Sequence, residues 1–416
     1  MAGRVEGLKL DNMRELCGVL GDPQHAQPTV HVTGTNGKGS VARMVTRLLG
    51  AHDLPTGTYL SPHLERVNER ISRNGEPIAD DQLAAVLSDL AGIEPLLEHR
   101  PSYFELLTAA ALRWFADEAV AAAVVEVGLL GRWDATNVVD GLVAVLTNVG
   151  QDHTDGAEGW RERIADEKAG IVKPGSTFVV GETSSQLRPV FDATPAKERW
   201  YRDQDFGCVD NRLAVGGRLV SLRTPGGAYD DVFLPLHGEH QGDNAAVAVA
   251  AAEAFFERPL DDALVREALG SVQNPGRFEV IRHDPLVIFD GAHNPDGARA
   301  AVTTLDEGFT VAGDRRLVVG TLAGRDPEEL LRILGADRAA QVVCCTPDSP
   351  RAIPATELAE MVRSLGGTPR IVPDVGDALA TALEHAADDD VVLVTGSLYT
   401  VGAARAAARR LGLLTT

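Results

Sequence analysis

The sequence predicts an α/β protein in two parts: a P-loop nucleotide-binding part with a small β-rich insert, and a Rossmann-like second part. Three observations lead there. Short apolar runs alternate with helical spacing along most of the 416 residues. A glycine-rich turn, "HVTGTNGKGSV" at 31–41, joins an apolar run to a helix-like pattern. A second alternating series follows "NPGRFEVI" at 274–281, which places the domains at 1–274 and 277–416.

Taken in order, "QPTVHV" is a strand and "GSVARMVTRLLGAH" the helix after it. "FELLTAAALRWFADEA" (104–119) has helical spacing and runs into a buried strand, "VAAAVVEVG". "GLVAVLTNVG" (141–150) and "STFVVGE" (176–182) are further strands. From about 200 to 237 glycine turns separate β-rich runs, the texture of a small antiparallel insert. "HQGDNAAVAVAAAEAFFE" (240–257) is an alanine-rich helix. Beyond 277, "PLVIFDGAHNPDGARAAV" reads strand, loop, helix, and later pairs complete an open sheet. The acidic run Asp388–Asp390 reads as a solvated turn before a strand.

Composition narrows the class. Hydrophobic residues make up 44% and charged residues 24%, ordinary for a chain with a real core. No apolar run approaches the ~20 residues of a membrane span, and "MAGRVEGLKLDNMREL" lacks signal-peptide regions. A cytoplasmic protein, monomeric and without membrane attachment, is expected. The net charge of −21 argues against nucleic-acid binding; anionic substrates would need a locally positive site. Of the four cysteines, Cys17, Cys208, Cys344 and Cys345, the last two are adjacent in an apolar run and suit neither a metal cluster nor a disulfide; buried thiols are the expected state.

The glycine loop carries the first chemistry. Gly34, Gly37 and Gly39 let backbone N–H groups approach phosphate oxygens, and the following helix adds its N-terminal dipole. Lys38 would contact the outer phosphates and Ser40 would sit as a magnesium ligand. The spelling is not G-x-x-x-x-G-K-[ST]: the first glycine stands three residues before the second, and a glycine separates lysine from serine. Glu126 closes a buried valine-rich strand, where active sites of open sheets lie; it is a metal ligand or a strand-end acid in an ion pair. His153, just past the next strand, is functional or simply a polar loop residue. Lys168 is a phosphate contact or a helix-surface lysine, since an ammonium does not ligate metals. Asp290 and His293 share one loop and either exchange a proton or serve as a cap and an incidental histidine. Arg277, between the parts, could reach a phosphate.

Together "HVTGTNGKGSV", "SPHLERVNERI", "VVEVGLLGRWDATNVV", "EKAGIVKPG", "HQGDNAAVA", "DGAHNPDGARA" and "GSLYTVGAAR" occur in order over nearly the whole chain. The sequence resembles the folylpolyglutamate synthase/dihydrofolate synthase family of the Mur ligase superfamily. That resemblance implies a Mur-ligase-type ATPase domain and a ligase that activates a carboxylate as an acyl phosphate. The amino group of L-glutamate then displaces phosphate. The implied acceptor is folate or dihydropteroate, and the implied cofactors are ATP and Mg2+, with K+ left open. By resemblance, Thr35, Asn36, Gly37, Lys38, Gly39 and Ser40 hold the nucleotide with Asn244, Arg277 and Asp290. Ser40, Glu126 and His153 hold metal, and Lys168 is carried as a carbamate. Ser61, Pro62 and His63 stand beside the folate pocket; Lys38, Lys168, Asp290 and His293 form the catalytic set, with Asp290 or His293 as base. Two departures stand out: the phosphate loop begins early, at residue 34, and Arg325-Asp326 replaces a Lys-Asp pair. The other readings are a Mur-type ligase for a different carboxylate and a non-catalytic nucleotide-binding regulator.

Overall fold

The chain turns first around an eight-stranded sheet. The computed structural model describes residues 10–151, 157–324 and 326–414. The sheet contains β1 (Thr29–Thr33), β2 (Thr56–Tyr59), β3 (Ile71–Arg73), β4 (Glu76–Pro77), β5 (Ala122–Glu126), β6 (Gly141–Leu146), β7 (Thr177–Val180) and β8 (Glu198–Tyr201). Its order is β4-β3-β2-β5-β1-β6-β7-β8. The strands from β2 to β8 in that order are parallel, and β3 and β4 add an antiparallel edge. β1 and β5 are buried throughout, because helices cover both faces. From β1 the chain goes out to β2, returns as β5, then crosses to β6 on the other side of β1. Such a reversal leaves a crevice at the carboxyl ends of the strands.

The helix predicted at 104–119 is Tyr103–Asp117. Its start is written in the sequence: the Ser102 hydroxyl accepts the Glu105 N–H at 3.3 Å, and the Glu105 carboxylate accepts the Ser102 N–H at 2.8 Å. The predicted insert is β9 (Gly207–Ala214), β10 (Gly217–Thr224) and β11 (Gly227–Leu234), an antiparallel sheet. Val220, Leu222, Val232 and Leu234 from its inner face share one core with Val30, Leu48 and Val247. The buried Glu253 ties insert to helix His240–Phe256, accepting from Tyr229 Oη and Thr224 Oγ1 at 2.7 Å each and from the Gly226 N–H at 3.0 Å.

The second part holds β12 (Glu279–Arg282), β13 (Leu286–Phe289), β14 (Arg315–Val319), β15 (Gln341–Cys344), β16 (Pro369–Ile371) and β17 (Val391–Thr395). Their order is β12-β13-β17-β14-β15-β16, parallel except for β12. Alternate residues face two cores: Ile288, Leu317 and Leu393 on one side, Val287, Val318 and Val392 on the other. Cys344 and Cys345 divide between the same two cores, and burial pushes their thiols up to about 11 and about 12. Cys208 departs from the expected burial and is partly exposed.

The solvated-turn reading of Asp388–Asp390 fails at its last residue. Asp390 is 5% exposed and accepts the Asp314 N–H at 2.7 Å, the Ala387 N–H at 3.0 Å and Arg316 Nε at 3.0 Å. Burial pushes its carboxyl up, but these donors outweigh it and hold the group below the usual carboxylate range. Asp390→Ala should lower the stability of the second part by about 2 kcal/mol, because it leaves the partly buried Arg316 guanidinium and two backbone N–H groups without their acceptor. Urea denaturation checks this, and a loss well under about 1 kcal/mol would contradict it.

Candidate active site

β1 delivers the chain into the glycine loop, and helix Lys38–Ala51 begins at its end. Gly34 has φ 149°, and a Cβ there would overlap the Thr147 hydroxyl. Gly37 has φ 80°, and a Cβ would sit 2.5 Å from Asn244 Oδ1. The loop is pinned to the segment after β6. Asn36 N–H donates to Asn148 Oδ1 at 3.0 Å, while the Asn36 carbonyl accepts from Thr147 Oγ1 at 2.6 Å and Asn148 Nδ2 at 3.1 Å. Its shape is therefore set before any ligand arrives. The helix leaves its first N–H groups without intrahelical acceptors, a ready site for phosphate oxygens.

Two ammonium groups meet the loop. Lys38 Nζ donates to the Gly34 and Thr35 carbonyls at 3.1 and 3.2 Å. Lys168 Nζ donates to the Gly34 carbonyl at 2.7 Å. Lys168 is 5% exposed on helix Trp160–Ala169, which overturns the helix-surface reading.

Glu126 ends β5 beside this loop. Its Oε2 accepts the Ser61 N–H at 2.9 Å. Burial pushes its carboxyl up; Lys38, the Ser61 N–H, Arg277 and Arg43 pull it back. A Cβ on Gly39 would lie 3.7 Å from both Glu126 oxygens, an ordinary contact, so the helix start runs directly beside the carboxylate. Ser40 Oγ accepts from Asn274 Nδ2 of the linker at 2.8 Å. Ser40 and Glu126 offer oxygen donors only, the kind a hard cation takes when phosphates and water complete its shell. Among the described residues no three His, Cys, Asp or Glu side chains form a metal cage. His153 lies outside the described residues.

The second part closes the other wall. Asp290 follows β13, and each of its oxygens accepts one backbone N–H: Oδ2 from Phe278 and Oδ1 from Ala292, both at 2.8 Å. Burial pushes this carboxyl up, opposed by Arg277. His293 Nδ1 lies 2.8 Å from the Gly291 carbonyl. A carbonyl only accepts, so Nδ1 carries a proton and is spent on the backbone, and Nε2 is the other ring nitrogen. Asn294 reaches across the parts: its Nδ2 donates to Asn36 Oδ1 at 3.0 Å, and its Oδ1 caps helix Pro295–Gly308.

Thr35–Ser40, Ser61, Pro62, Glu126, Asn244, Arg277, Asp290 and His293 thus line one cleft of about 1070 Å³. His63 does not line it. It accepts at Nδ1 from Arg70 Nε at 2.9 Å, and burial with Arg70 lowers its affinity for a proton, so it supports Arg70, which does face the cleft. Asn148, Asn294 and Arg43 were not singled out by sequence. Asn148 had one signal, a polar pair with Thr147 at the end of an apolar run, and Asn294 another, an asparagine before proline at a helix start. Asp326, from the unusual Arg-Asp pair, caps helix Pro327–Ile333 through the Glu329 N–H at 2.9 Å; Arg325 lies outside the described residues. No described helix is long and apolar enough to cross a membrane.

Comparison with known proteins gives the same picture. Residues 32–252 match the Mur ligase middle domain, and 276–398 the Mur ligase glutamate ligase domain. The dihydrofolate synthase/folylpolyglutamate synthase of Mycobacterium tuberculosis is 39% identical over 95% of this chain and 89% of its own length. A crystal structure of M. tuberculosis folylpolyglutamate synthase with ADP and AMPPCP superposes with TM-score 0.91 at 37% identity, covering 96% of this chain and 95% of that one. A bifunctional folylpolyglutamate synthase/dihydrofolate synthase from Yersinia pestis, with AMPPNP and a manganese ion, gives TM-score 0.85 at 31% identity over 98% and 95%. The chain belongs to the folylpolyglutamate synthase/dihydrofolate synthase family of Mur ligases.

Proposed function

We propose that the protein is an ATP-dependent ligase that adds L-glutamate to a folate, to dihydropteroate, or to both. The observation that carries this is one cleft joining the phosphate loop, the Glu126 carboxylate and the Asp290–His293 loop. The relatives' names supply the acceptor class. The units are 1–274 and 277–416, and the protein works as a cytoplasmic monomer on small molecules, without nucleic acid or membrane.

The roles follow from the contacts. Helix Lys38–Ala51 and the Thr35–Gly39 backbone cradle the phosphates, Lys38 turning from loop carbonyls to phosphate oxygens. Asn244 and Arg277 contact the nucleotide from the two flanking segments. Ser40 and Glu126, joined by His153, would hold Mg2+, which neutralises charge on the transferring phosphoryl group. Lys168 carries a carbamate, which turns a buried cation under the loop into an oxygen-bearing anion. Ser61 and Pro62 border the acceptor site, with Glu126 fixing the Ser61 amide. Attack on the acyl phosphate needs a neutral amine. We assign the base to His293, because the two backbone N–H groups on Asp290, from Phe278 in the linker and Ala292 in its own loop, tie that carboxylate in place.

The test is ADP release with ATP, Mg2+ and L-glutamate, comparing dihydropteroate with tetrahydrofolate and its glutamates. Turnover dependent on both acceptor and glutamate is expected with at least one of them. Turnover with none would remove the folate assignment and leave another carboxylate as the acceptor.

A further inference from the structure

The acceptor-side loop is held by the far end of the chain. Three successive amides, Leu64, Glu65 and Arg66, donate to the Glu69 carboxylate at 2.7, 2.9 and 2.8 Å. Glu65 then faces away from the first part. Its Oε1 accepts Arg405 Nε at 2.8 Å, and its Oε2 pairs with Arg409; both arginines lie on helix Leu398–Arg410, the last of the second part. Arg405, 8% exposed, also pairs with Glu279 on β12, whose Oε2 accepts the Gly276 N–H of the linker at 2.8 Å.

A second, steric observation points the same way. Gly402 lies on that helix against the Leu64 carbonyl, and a Cβ there would overlap it. Leu64 itself packs with Val401 in the core of the second part. The loop is thus fixed at one end by the Ser61 N–H on Glu126 and at the other by the last helix.

We propose that Arg405 and Gly402, acting through Glu65 and Leu64, are positioning residues for the acceptor. The docking of the last helix sets where Ser61 and Pro62 stand relative to Glu126. Neither residue touches a reacting atom. The proposal rests on the ligase reading, in which this loop borders the acceptor site.

The test compares wild type with Arg405→Gln, Arg405→Lys and Gly402→Ala in the full chain. Arg405→Gln and Gly402→Ala should each raise the acceptor KM about tenfold, the size of one broken coupling, while the ATP KM moves less than about twofold. Arg405→Lys keeps the charge and should recover part of the loss. Amide hydrogen exchange of the 62–66 segment, measured without substrates, should quicken in the same two variants. An acceptor KM and loop exchange unchanged in both variants would overturn the proposal, as would equal rises in the acceptor and ATP KM. If wild type turned over no folate acceptor, the ligase reading would fall alone, and the exchange arm would still decide the docking.

Discussion

Replacing Lys38 with alanine should lower acceptor-dependent ADP release about 10³-fold, with most of the loss in kcat. Lys38 Nζ is within 3.2 Å of two carbonyls of the loop that surrounds the phosphates, so its charge sits at the site before ATP binds. A charge already at the site needs only a short turn of the ammonium from these carbonyls to the phosphate, and once there it meets the negative charge that builds on the transferring group, so the effect falls on the transition state more than on binding. Lys38→Arg should restore little, because a planar guanidinium cannot occupy the space between the Gly34 and Thr35 carbonyls as an ammonium does. Glu126→Gln is the companion variant. It keeps an oxygen for the Ser61 N–H but removes the anion, and should cost about 10²–10³-fold. Glutamate-dependent ADP release decides both. Unchanged turnover in either variant would remove that residue from the mechanism, and unchanged turnover in both would remove the acyl-phosphate route.

What could be read in the sequence was local. β1, its glycine loop and the following helix show within about a dozen residues, because strand, turn and helix each have a short-range signature. Glu126 was legible for a related reason: a carboxylate at the end of an apolar strand has few stable fates. The family resemblance needed more than this loop: it rests on "HVTGTNGKGSV" together with "SPHLERVNERI" and the later stretches in order.

What stayed hidden depends on distant pairing. Lys168 meets Gly34 across 134 residues, Asn36 meets Asn294 across 258, and Arg316 meets Asp390 across 74. No local pattern encodes such partners, so Lys168 read as either a phosphate contact or a helix-surface lysine, and Asp390 as a solvated acid. The same holds for Glu65 and Arg405, 340 residues apart, each an ordinary charged residue until the last helix docks. Asp290 changes character for a related reason. As sequence it was a candidate base, but its two backbone donors come from Phe278 in the linker and Ala292 in its own loop, which makes it a brace.

Acidification should unfold the first part sooner than its carboxylates alone would dictate, because of His31. This residue lies on β1 with no exposed surface. Its Nε2 is 2.9 Å from Thr136 Oγ1, and that hydroxyl donates to Asp134 Oδ1 at 2.5 Å. The hydroxyl proton is thus committed, so Nε2 must donate and Nδ1 bears the lone pair. Nδ1 is buried and has no hydrogen-bond partner, so a proton added there would find no acceptor. Burial, reinforced by Lys173, lowers the ring from 6.5 to about 3. The sign follows: between those values the unfolded chain binds a proton that the folded chain refuses. Stability from this group is complete above 6.5 and is lost as pH falls toward 3. The slope is about 1.4 kcal/mol per pH unit, or about 3 kcal/mol by pH ~4.5. His240, lowered by burial to about 4, adds a similar slope over a shorter range. His31→Gln should be less stable than wild type near neutral pH, having lost the fitted Thr136 contact. The gap should narrow by about 1.4 kcal/mol for each unit below pH ~6.5, because the variant has no proton to refuse. Urea unfolding of both proteins across that range measures the gap directly, and parallel curves would mean that His31 is protonated in the folded state.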